Sequence, residues 1–240
     1  MAPSRSALKQ SLPAPSTERL ERGRQAAPQV FERLREAIIH LDLSPGTTLS
    51  RATLATQFGV SSTPIRDALM RLEEEGLVDV FPQHATVVSP IDLTLAHQAH
   101  FLRRSLELEI VRSLALTPDP RLISRLRGIL AQQQALMEAN DLQAFEASDQ
   151  DFHRHLYEAA KMQDLWVLVR SRSGHIDRLR RLNLPTPGKI QGIMKHHRLI
   201  VEAIAEGKPD AAQQHLRDHL SGTLSHVDEI SAKYPGYVRQ

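Results

Sequence analysis

The residues best suited to chemistry are one aspartate and three histidines on predicted amphipathic helices. Asp149 lies at the centre of the apolar stripe of its helix, and His153 lies one turn later on the same face. His197 falls within the apolar stripe of the next-to-last helix, and His219 falls within that of the last. A carboxylate on an apolar face is costly unless it is paired or bound to a metal. Four such groups facing a helical interior favour a divalent metal site with nitrogen and oxygen ligands.

Zinc suits this ligand set, and nickel or another borderline divalent ion is also compatible with it. Hydrogen bonding among the same four side chains is the competing explanation, because it would also satisfy buried polar groups. A catalytic zinc needs a nearby base as well as an open position. Asp151 is adjacent in sequence but lies off the apolar stripe, as does His196 on its own helix. A metal-dependent hydrolase with a further domain attached is the alternative function, although these helices offer it no obvious base.

The composition points to helices that pack against one another. Of the 240 residues, 41% are hydrophobic and only 4% are aromatic, and Leu and Ala are abundant. There is no cysteine, which excludes disulfides and thiolate metal sites and fits a reducing compartment. No apolar run approaches the ~20 residues that span a bilayer, and the N-terminus lacks an apolar signal core. We expect a cytoplasmic protein with no membrane partner.

The chain divides into four predicted segments. Residues 1–25 are rich in Pro, Ser, Ala and Arg without apolar periodicity, which predicts a flexible arm. Residues 26–91 predict a winged helix-turn-helix domain, and residues 92–232 predict an all-helical bundle. Residues 233–240 form a tail. The fold class is therefore mainly α, with an N-terminal winged helix-turn-helix domain and a C-terminal all-α domain.

Periodicity and turn residues place the individual elements. In the first domain a helix begins near Val30, Ser50 caps a second helix, and Gly59 turns the chain into a third helix that ends at Gly76. Two β-type runs then predict a hairpin. The second domain predicts six helices, near 92–116, 119–138, 141–160, 163–183, 189–206 and 208–230.

The start of the third helix carries hydrogen-bond donors where a recognition helix needs them. Ser61, Ser62 and Thr63 lie at the helix start, and Arg66 lies one turn later. In a helix-turn-helix, these N-terminal positions contact base edges and phosphates in the major groove. The net charge of only +2 means that DNA binding has to rest on these placements. The alternative is an ordinary helical subdomain in which the serines are a plain cap.

Sequence motifs strengthen the DNA-binding interpretation. They are Leu43-x-Pro45-Gly46-x-x-Leu49, Leu54-Ala55-x-x-Phe58-Gly59-Val60-Ser61 and Ser62-Thr63-Pro64-Ile65-Arg66-Asp67-Ala68-Leu69. Together they closely resemble the GntR family of regulators over residues 28–90. The resemblance implies that Thr63 and Arg66 contact DNA and that Gln83 and His84 lie at the tip of the wing. Ser62 stands where the family usually has Arg, and Ala85 where it has Gly. Both departures imply an altered operator.

A second set of motifs lies in the helical domain. They are Phe101-Leu102-Arg103-Arg104-Ser105-Leu106-Glu107, Asp149-x-x-Phe152-His153, His197-x-x-Ile200 and His219-Leu220. They resemble the FCD ligand-binding domain of the FadR-type branch of the GntR family, over residues 93–230. The resemblance implies a metal bound by Asp149, His153, His197 and His219. It also implies sensing of a small carboxylate. One departure is Lys161-Met162, where the family usually has Gly-Asn.

Arg103 is the predicted effector-binding residue. It matches an arginine that often lies in the effector pocket of the family, and a guanidinium suits a carboxylate because it can bind both oxygens. A surface ion pair with Glu107 is the alternative role. We expect a homodimeric repressor that binds double-stranded operator DNA, with an affinity altered by a small carboxylate effector that touches the metal.

Overall fold

The computed structural model describes residues 20–21, 23–81 and 85–239. Residue contacts group the chain into two compact units, which divide between Ser89 and Pro90. Most of the predicted arm, including residues 1–19, lies outside the described residues, and so do Gln83 and His84.

The first unit contains three helices and a three-stranded antiparallel sheet. Its elements are α1 (Ala26–Ile39), β1 (Thr48–Leu49), α2 (Arg51–Phe58), α3 (Ser62–Glu74), β2 (Val78–Phe81) and β3 (Ala85–Val88). The strand order is β1-β3-β2, so β3 lies in the middle. The β2–β3 hairpin agrees with the sequence prediction, whereas β1 was not predicted, because a strand of two residues is too short for its alternation to be recognised.

The apolar stripes of the first unit meet in one core. Helix α1 packs on α3 through side chains that include Leu34, Ile38, Ile65 and Leu72, all of which are fully buried. The hydroxyl of Ser50 accepts a hydrogen bond from the Thr53 amide at 3.3 Å, as expected for a helix cap. This packing turns the opposite face of α3 outwards.

The second unit is a helical bundle. Its helices are α4 (Leu93–Leu116), α5 (Pro120–Glu138), α6 (Leu142–Ala159), α7 (Gln163–Arg172), α8 (Gly174–Asn183), α9 (Lys189–Ala205), α10 (Pro209–Ser221) and α11 (Val227–Lys233), with a 3₁₀ turn at Leu224–His226. Asp92, Asp119 and Asp141 each accept a backbone N–H at a helix start. The main core lies between α4, α5, α6, α9 and α10.

Two predicted helices divide in the structure, so their prediction as continuous helices was wrong. The helix predicted near 163–183 breaks at Ser173-Gly174, a Ser/Gly pair of the kind that kinks helices. The helix predicted near 208–230 breaks after Ser221. There the Gly222 carbonyl accepts a hydrogen bond from the Lys189 ammonium at 2.8 Å instead of continuing the helical ladder.

A short parallel sheet joins the beginning and the end of the second unit. Strand β4 (Ile91–Asp92) pairs with β5 (Val238–Arg239). The Ile91 amide donates to the Tyr237 carbonyl at 2.7 Å, and the Arg239 guanidinium donates to the Asp92 carboxylate at 3.0 Å. The predicted tail at residues 233–240 therefore contributes a strand. In the described ranges, no helix has the length and apolar character needed to cross a membrane.

The turn after α6 has a left-handed residue that is not glycine. Lys161 has φ 60°. Its amide donates to the Glu158 carbonyl at 3.0 Å, and the Met162 amide donates to the Tyr157 carbonyl at 2.8 Å. These two bonds form a Schellman C-cap, whose left-handed position favours glycine. The chain therefore keeps the turn although Lys161-Met162 replaces the usual Gly-Asn, and Lys161 adopts a backbone conformation that disfavours a side chain.

Lys161→Gly is expected to stabilise the fold by about 0.5–1 kcal/mol. It removes a left-handed penalty of roughly 1–2 kcal/mol, and part of that gain is offset by the greater freedom of glycine in the unfolded chain. Urea unfolding monitored by circular dichroism measures the difference. Lys161→Ala is the control, since alanine keeps the Cβ atom that makes the left-handed conformation unfavourable. Equal stability of the glycine and alanine variants would contradict the assignment of strain.

Candidate metal centre and DNA interface

The four predicted ligands come together at one point inside the second unit. Helix α6 supplies Asp149 and His153, α9 supplies His197, and α10 supplies His219. The Nε2 atom of His219 lies 3.1 Å from Nε2 of His153 and 3.3 Å from Nε2 of His197. The Asp149 Oδ1 atom lies 3.4 Å from Nε2 of His197. All four ligand atoms lie within 4.8 Å of one another.

These separations fit a bound divalent ion. Ligand atoms about 2.0–2.1 Å from a tetrahedral zinc ion lie about 3.3–3.4 Å apart. The Asp149 Oδ1 atom is buried and has no hydrogen-bond partner among the described residues. An unsatisfied carboxylate oxygen that lies among three imidazole nitrogens is a group that a cation would stabilise.

Hydrogen bonding alone satisfies the cluster poorly. The His197 Nδ1 atom lies 3.0 Å from the side-chain amide oxygen Oε1 of Gln133. The His153 Nδ1 atom lies 2.8 Å from the Glu107 carboxylate, although the two are imperfectly aligned. Both partners are acceptors, so each neutral ring carries its proton on Nδ1 and presents a lone pair at Nε2. His219 can donate to only one of these lone pairs, which leaves the other unsatisfied.

Burial keeps the three rings in the form that binds metals. It lowers the pKa of His153, lowers the pKa of His197 to about 3, and holds the pKa of His219 well below its usual range. Burial acts in the opposite direction on Asp149, but the charge of Arg180 holds the pKa of this carboxyl well below its usual range. At neutral pH the cluster therefore consists of three neutral imidazoles and one carboxylate.

Glu107 contacts the ligand His153 but is not itself a member of the cluster. It is fully buried on α4, and its Oε1 atom accepts a hydrogen bond from Arg103 Nε at 2.7 Å. Its Oε2 atom faces His153. Burial would raise the pKa of Glu107, but the charge of Arg103 and the proximity of His153 lower it to about 2. An ionised Glu107 orients the His153 ring and fixes its tautomer.

Glu107→Gln is expected to weaken divalent-metal binding about tenfold, because the amide no longer fixes the His153 tautomer. A competition titration with a chromogenic chelator measures the dissociation constant. Glu109→Gln is the matched control, since Glu109 is an exposed carboxylate on the same helix. An unchanged metal affinity in a folded Glu107→Gln variant would refute the supporting role.

A cavity of about 40 Å³ that opens to solvent lies beside the cluster. Its polar lining comes from Arg103, Asp149, Arg180, Lys189 and His219, together with His100, Glu146 and Thr223. The remaining lining is apolar and consists of Phe145, Ile176, Leu184, Ile193 and Leu220. A charged region beside an apolar wall suits a small anion with a hydrocarbon body.

Arg103 combines features of both of its predicted roles. It is buried, with 8% of its surface exposed, so it is not a surface arginine. Its Nε atom pairs with Glu107, and its side chain lines the cavity. This Nε–Glu107 bond is the only hydrogen bond of the Arg103 guanidinium among the described residues. The two terminal nitrogens therefore retain donors for a ligand.

Arg180 is a residue of the site that apolar periodicity does not reveal. In the structure, the Arg180 guanidinium donates to the Asp149 carboxylate and lines the cavity. Gln133, which holds His197, was not predicted. Both contacts join separate helices, and apolar periodicity within one helix carries no signal for them.

The outward face of α3 carries the predicted DNA contacts. Ser61, Ser62, Thr63 and Arg66 are all exposed. The hydroxyl of Ser61 precedes the helix without capping it. The Arg66 side chain is 63% exposed and lies 3.7 Å from the Asp67 carboxylate. The face therefore presents hydroxyls, free amides and one guanidinium, as a major-groove reader requires.

Comparison with known proteins assigns the family. Residues 26–88 match the bacterial regulatory proteins of the gntR family, and residues 98–222 match the FCD domain. A curated relative from Streptomyces ambofaciens, named as an uncharacterized HTH-type transcriptional regulator in an unstable DNA locus, is 34% identical over 89% of both chains. The chain belongs to the GntR family of transcriptional regulators.

Other relatives agree with this GntR assignment. The HTH-type transcriptional repressor RspR of Escherichia coli K12 is 27% identical over 84% of this chain and 89% of its own. Among solved structures, E. coli McbR/YncC has a TM-score of 0.73 at 20% identity, covering 88% of this chain and 99% of that one. A GntR regulator from Rhodococcus sp. RHA1 has a TM-score of 0.70 at 23% identity, covering 87% and 98%. The predicted family and fold class are confirmed, and the chain is a regulator, not a hydrolase.

Proposed function

We propose that this GntR regulator is a homodimeric repressor whose operator affinity is changed by a small carboxylate bound beside a divalent metal ion. The observation that carries the proposal is the cluster of Asp149, His153, His197 and His219, with its unsatisfied Asp149 Oδ1 atom, at the wall of a cavity that also contains Arg103. The similarity to the repressor RspR supports repression rather than activation.

The metal is proposed to be bound by these four side chains, and zinc suits the ligand set. When bound, a divalent ion supplies a positive centre that attracts an oxygen anion. Arg103 holds a carboxylate in a fixed orientation through its terminal N–H groups. Glu107 keeps Arg103 and His153 in place, and Arg180 neutralises the second oxygen of Asp149.

DNA recognition is proposed to use the exposed face of α3. Thr63 and Arg66 contact the major groove, and Ser61 and Ser62 bind phosphates or base edges through hydroxyl and amide groups. Gln83 and His84 are proposed to enter the minor groove. A helix-turn-helix dimer binds two half-sites about one helical turn apart, so the expected operator is pseudo-palindromic.

Helix α8 is a suitable element for transmitting effector binding. Arg180 on α8 lines the cavity and binds Asp149. On the same helix, His175 accepts a hydrogen bond from the Asp92 amide at 3.0 Å, and Arg178 approaches the Pro90 carbonyl at 3.5 Å. An effector that binds one position of α8 better than another shifts the population of the two states. This shift would alter the strand with which the helical unit begins.

A thermal-shift screen of metal-loaded protein tests the proposal. Dicarboxylates, hydroxy acids and sugar acids are expected to raise the melting temperature, because they bind only the folded state. Chelator treatment and Arg103→Met should weaken the hits, whereas Arg104→Met, an exposed control on the same helix, should not. The same compounds should change operator affinity in fluorescence anisotropy. Hits confined to neutral or cationic compounds, insensitive to metal removal, would contradict the proposal.

A further inference from the structure

Lys189 is a cation of the effector cavity that has no carboxylate partner among the described residues. It is the first residue of α9, and its Nζ atom donates to the Gly222 carbonyl at 2.8 Å. In the described part of the chain this carbonyl is its only hydrogen-bond partner. A Cβ atom at position 222 would lie 2.9 Å from Nζ, so a side chain there would displace the ammonium. A half-buried ammonium held by one neutral carbonyl retains donors and an unneutralised charge.

The other charged groups of the cavity are already matched. Arg103 pairs with Glu107 at 2.7 Å, and Arg180 pairs with Asp149. The Glu146 carboxylate pairs with Arg181 at 3.1 Å. The charge on Lys189 is therefore the excess charge of the cavity lining, and a divalent ion at the cluster would add two more positive charges. An anion with a single charge neutralises only part of this excess.

Lys189 also reaches a surface groove that adjoins the cavity. Lys189, Ile193 and the cluster residue His219 line both the cavity and this groove. Between the charged groups the wall is apolar, with Phe145 and Ile176 among its side chains. The cavity thus combines two cationic groups that can bind anions, Lys189 and Arg103, with a hydrocarbon wall.

We propose that Lys189 selects effectors with two anionic groups: one carboxylate binds at the metal and Arg103, and the second binds the Lys189 ammonium. The effector is then a dicarboxylate with a hydrocarbon body. This inference rests on the proposed function, since it takes the first carboxylate to bind at the metal centre.

The test compares matched acids on zinc-loaded, full-length protein. Isothermal titration calorimetry measures dissociation constants for straight-chain dicarboxylates from succinate to suberate and for the monocarboxylates of equal carbon number. At least one dicarboxylate is expected to bind about tenfold more tightly than its monocarboxylate, because a hydrogen-bonded charge contributes about that much. Lys189→Met should remove this preference by weakening dicarboxylate binding more than monocarboxylate binding. Lys189→Arg should retain it, as should Lys195→Met, an exposed control on the same helix.

The outcomes distinguish a failure of the Lys189 selectivity from a failure of the proposed carboxylate-sensing function. Equal binding of mono- and dicarboxylates by the wild type overturns the role of Lys189 and leaves the carboxylate sensor intact. A dicarboxylate preference that persists in Lys189→Met also overturns it. If neither series binds and chelation changes nothing, the proposed function fails and the selectivity fails with it. A preference that is lost in Lys189→Met and kept in Lys189→Arg supports the proposal.

Discussion

Replacing His197 with alanine is expected to lower the affinity for a divalent metal by on the order of a hundredfold or more. The loss of a ligand should exceed the 10–100-fold effect typical of residues that only support ligands. His197 is fully buried, and its Nε2 atom lies within 3.4 Å of both Asp149 Oδ1 and His219 Nε2. No other described residue on α9 places a ligand atom in the cluster.

The stability of the protein should report the same loss. A ligand that binds only the folded state at a hundred times its dissociation constant adds about 2.7 kcal/mol to the free energy of unfolding. At that zinc concentration the wild type should gain this amount, and His197→Ala should gain almost none of it. Metal content after dialysis and the melting temperature with and without zinc are the measurements.

His196→Ala is the matched control, because this neighbouring histidine lies beside the surface groove and outside the cluster. It should retain about one ion per chain. Equal metal loss in the two variants would refute the assignment of ligands from helical faces. The ring of His197 also stacks on Phe152, with centroids 4.0 Å apart, so circular dichroism has to establish that the alanine variant folds.

Arg66→Ala is expected to weaken operator binding by about 1–3 kcal/mol, which is roughly 5–150-fold. The Arg66 side chain is exposed one turn into α3, and its nearest ion-pair partner, Asp67, is 3.7 Å away. Because this ion pair is long and exposed, the guanidinium is available to bind a guanine edge or a phosphate.

Fluorescence anisotropy with a duplex obtained by repeated selection measures this effect at physiological salt. A base contact predicts relaxed sequence preference at one position, whereas a phosphate contact predicts uniform weakening and a smaller salt dependence. Arg112→Ala, an exposed arginine of the helical unit, should leave binding unchanged. Unaltered affinity of Arg66→Ala for the operator would exclude Arg66 from the interface.

The faces of the helices could be predicted from the sequence, but the neighbours of those faces could not. Apolar periodicity placed Asp149, His153, His197 and His219 on inner faces, because a helical repeat fixes direction within one element. The contact of Arg180 with Asp149 joins α8 to α6, and that of Gln133 with His197 joins α5 to α9. Contacts between elements depend on packing, which leaves no period in the sequence.

The element boundaries missed by the sequence have local causes. The break at Ser173 has no proline to signal it, and the Ser173 hydroxyl instead bonds to the Asp177 carboxylate at 2.6 Å. Helix α10 ends where Gly222 meets Lys189, a residue 33 positions earlier. Strands of two residues, such as β1 and β4, show no recognisable alternation. Each of these features depends on a partner that is distant along the chain or on a single side-chain bond.

The pairing of β4 with β5 imposes an order on folding. The Asp92–Arg239 contact closes a loop of 147 residues, so the strand that opens the helical unit has to wait for a partner that is synthesised much later. Closing so long a loop is slow relative to forming the local contacts of a helix. During translation the helix-turn-helix unit leaves the ribosome before this pairing can form. The DNA-binding unit of a nascent chain can therefore fold before β4 pairs with β5.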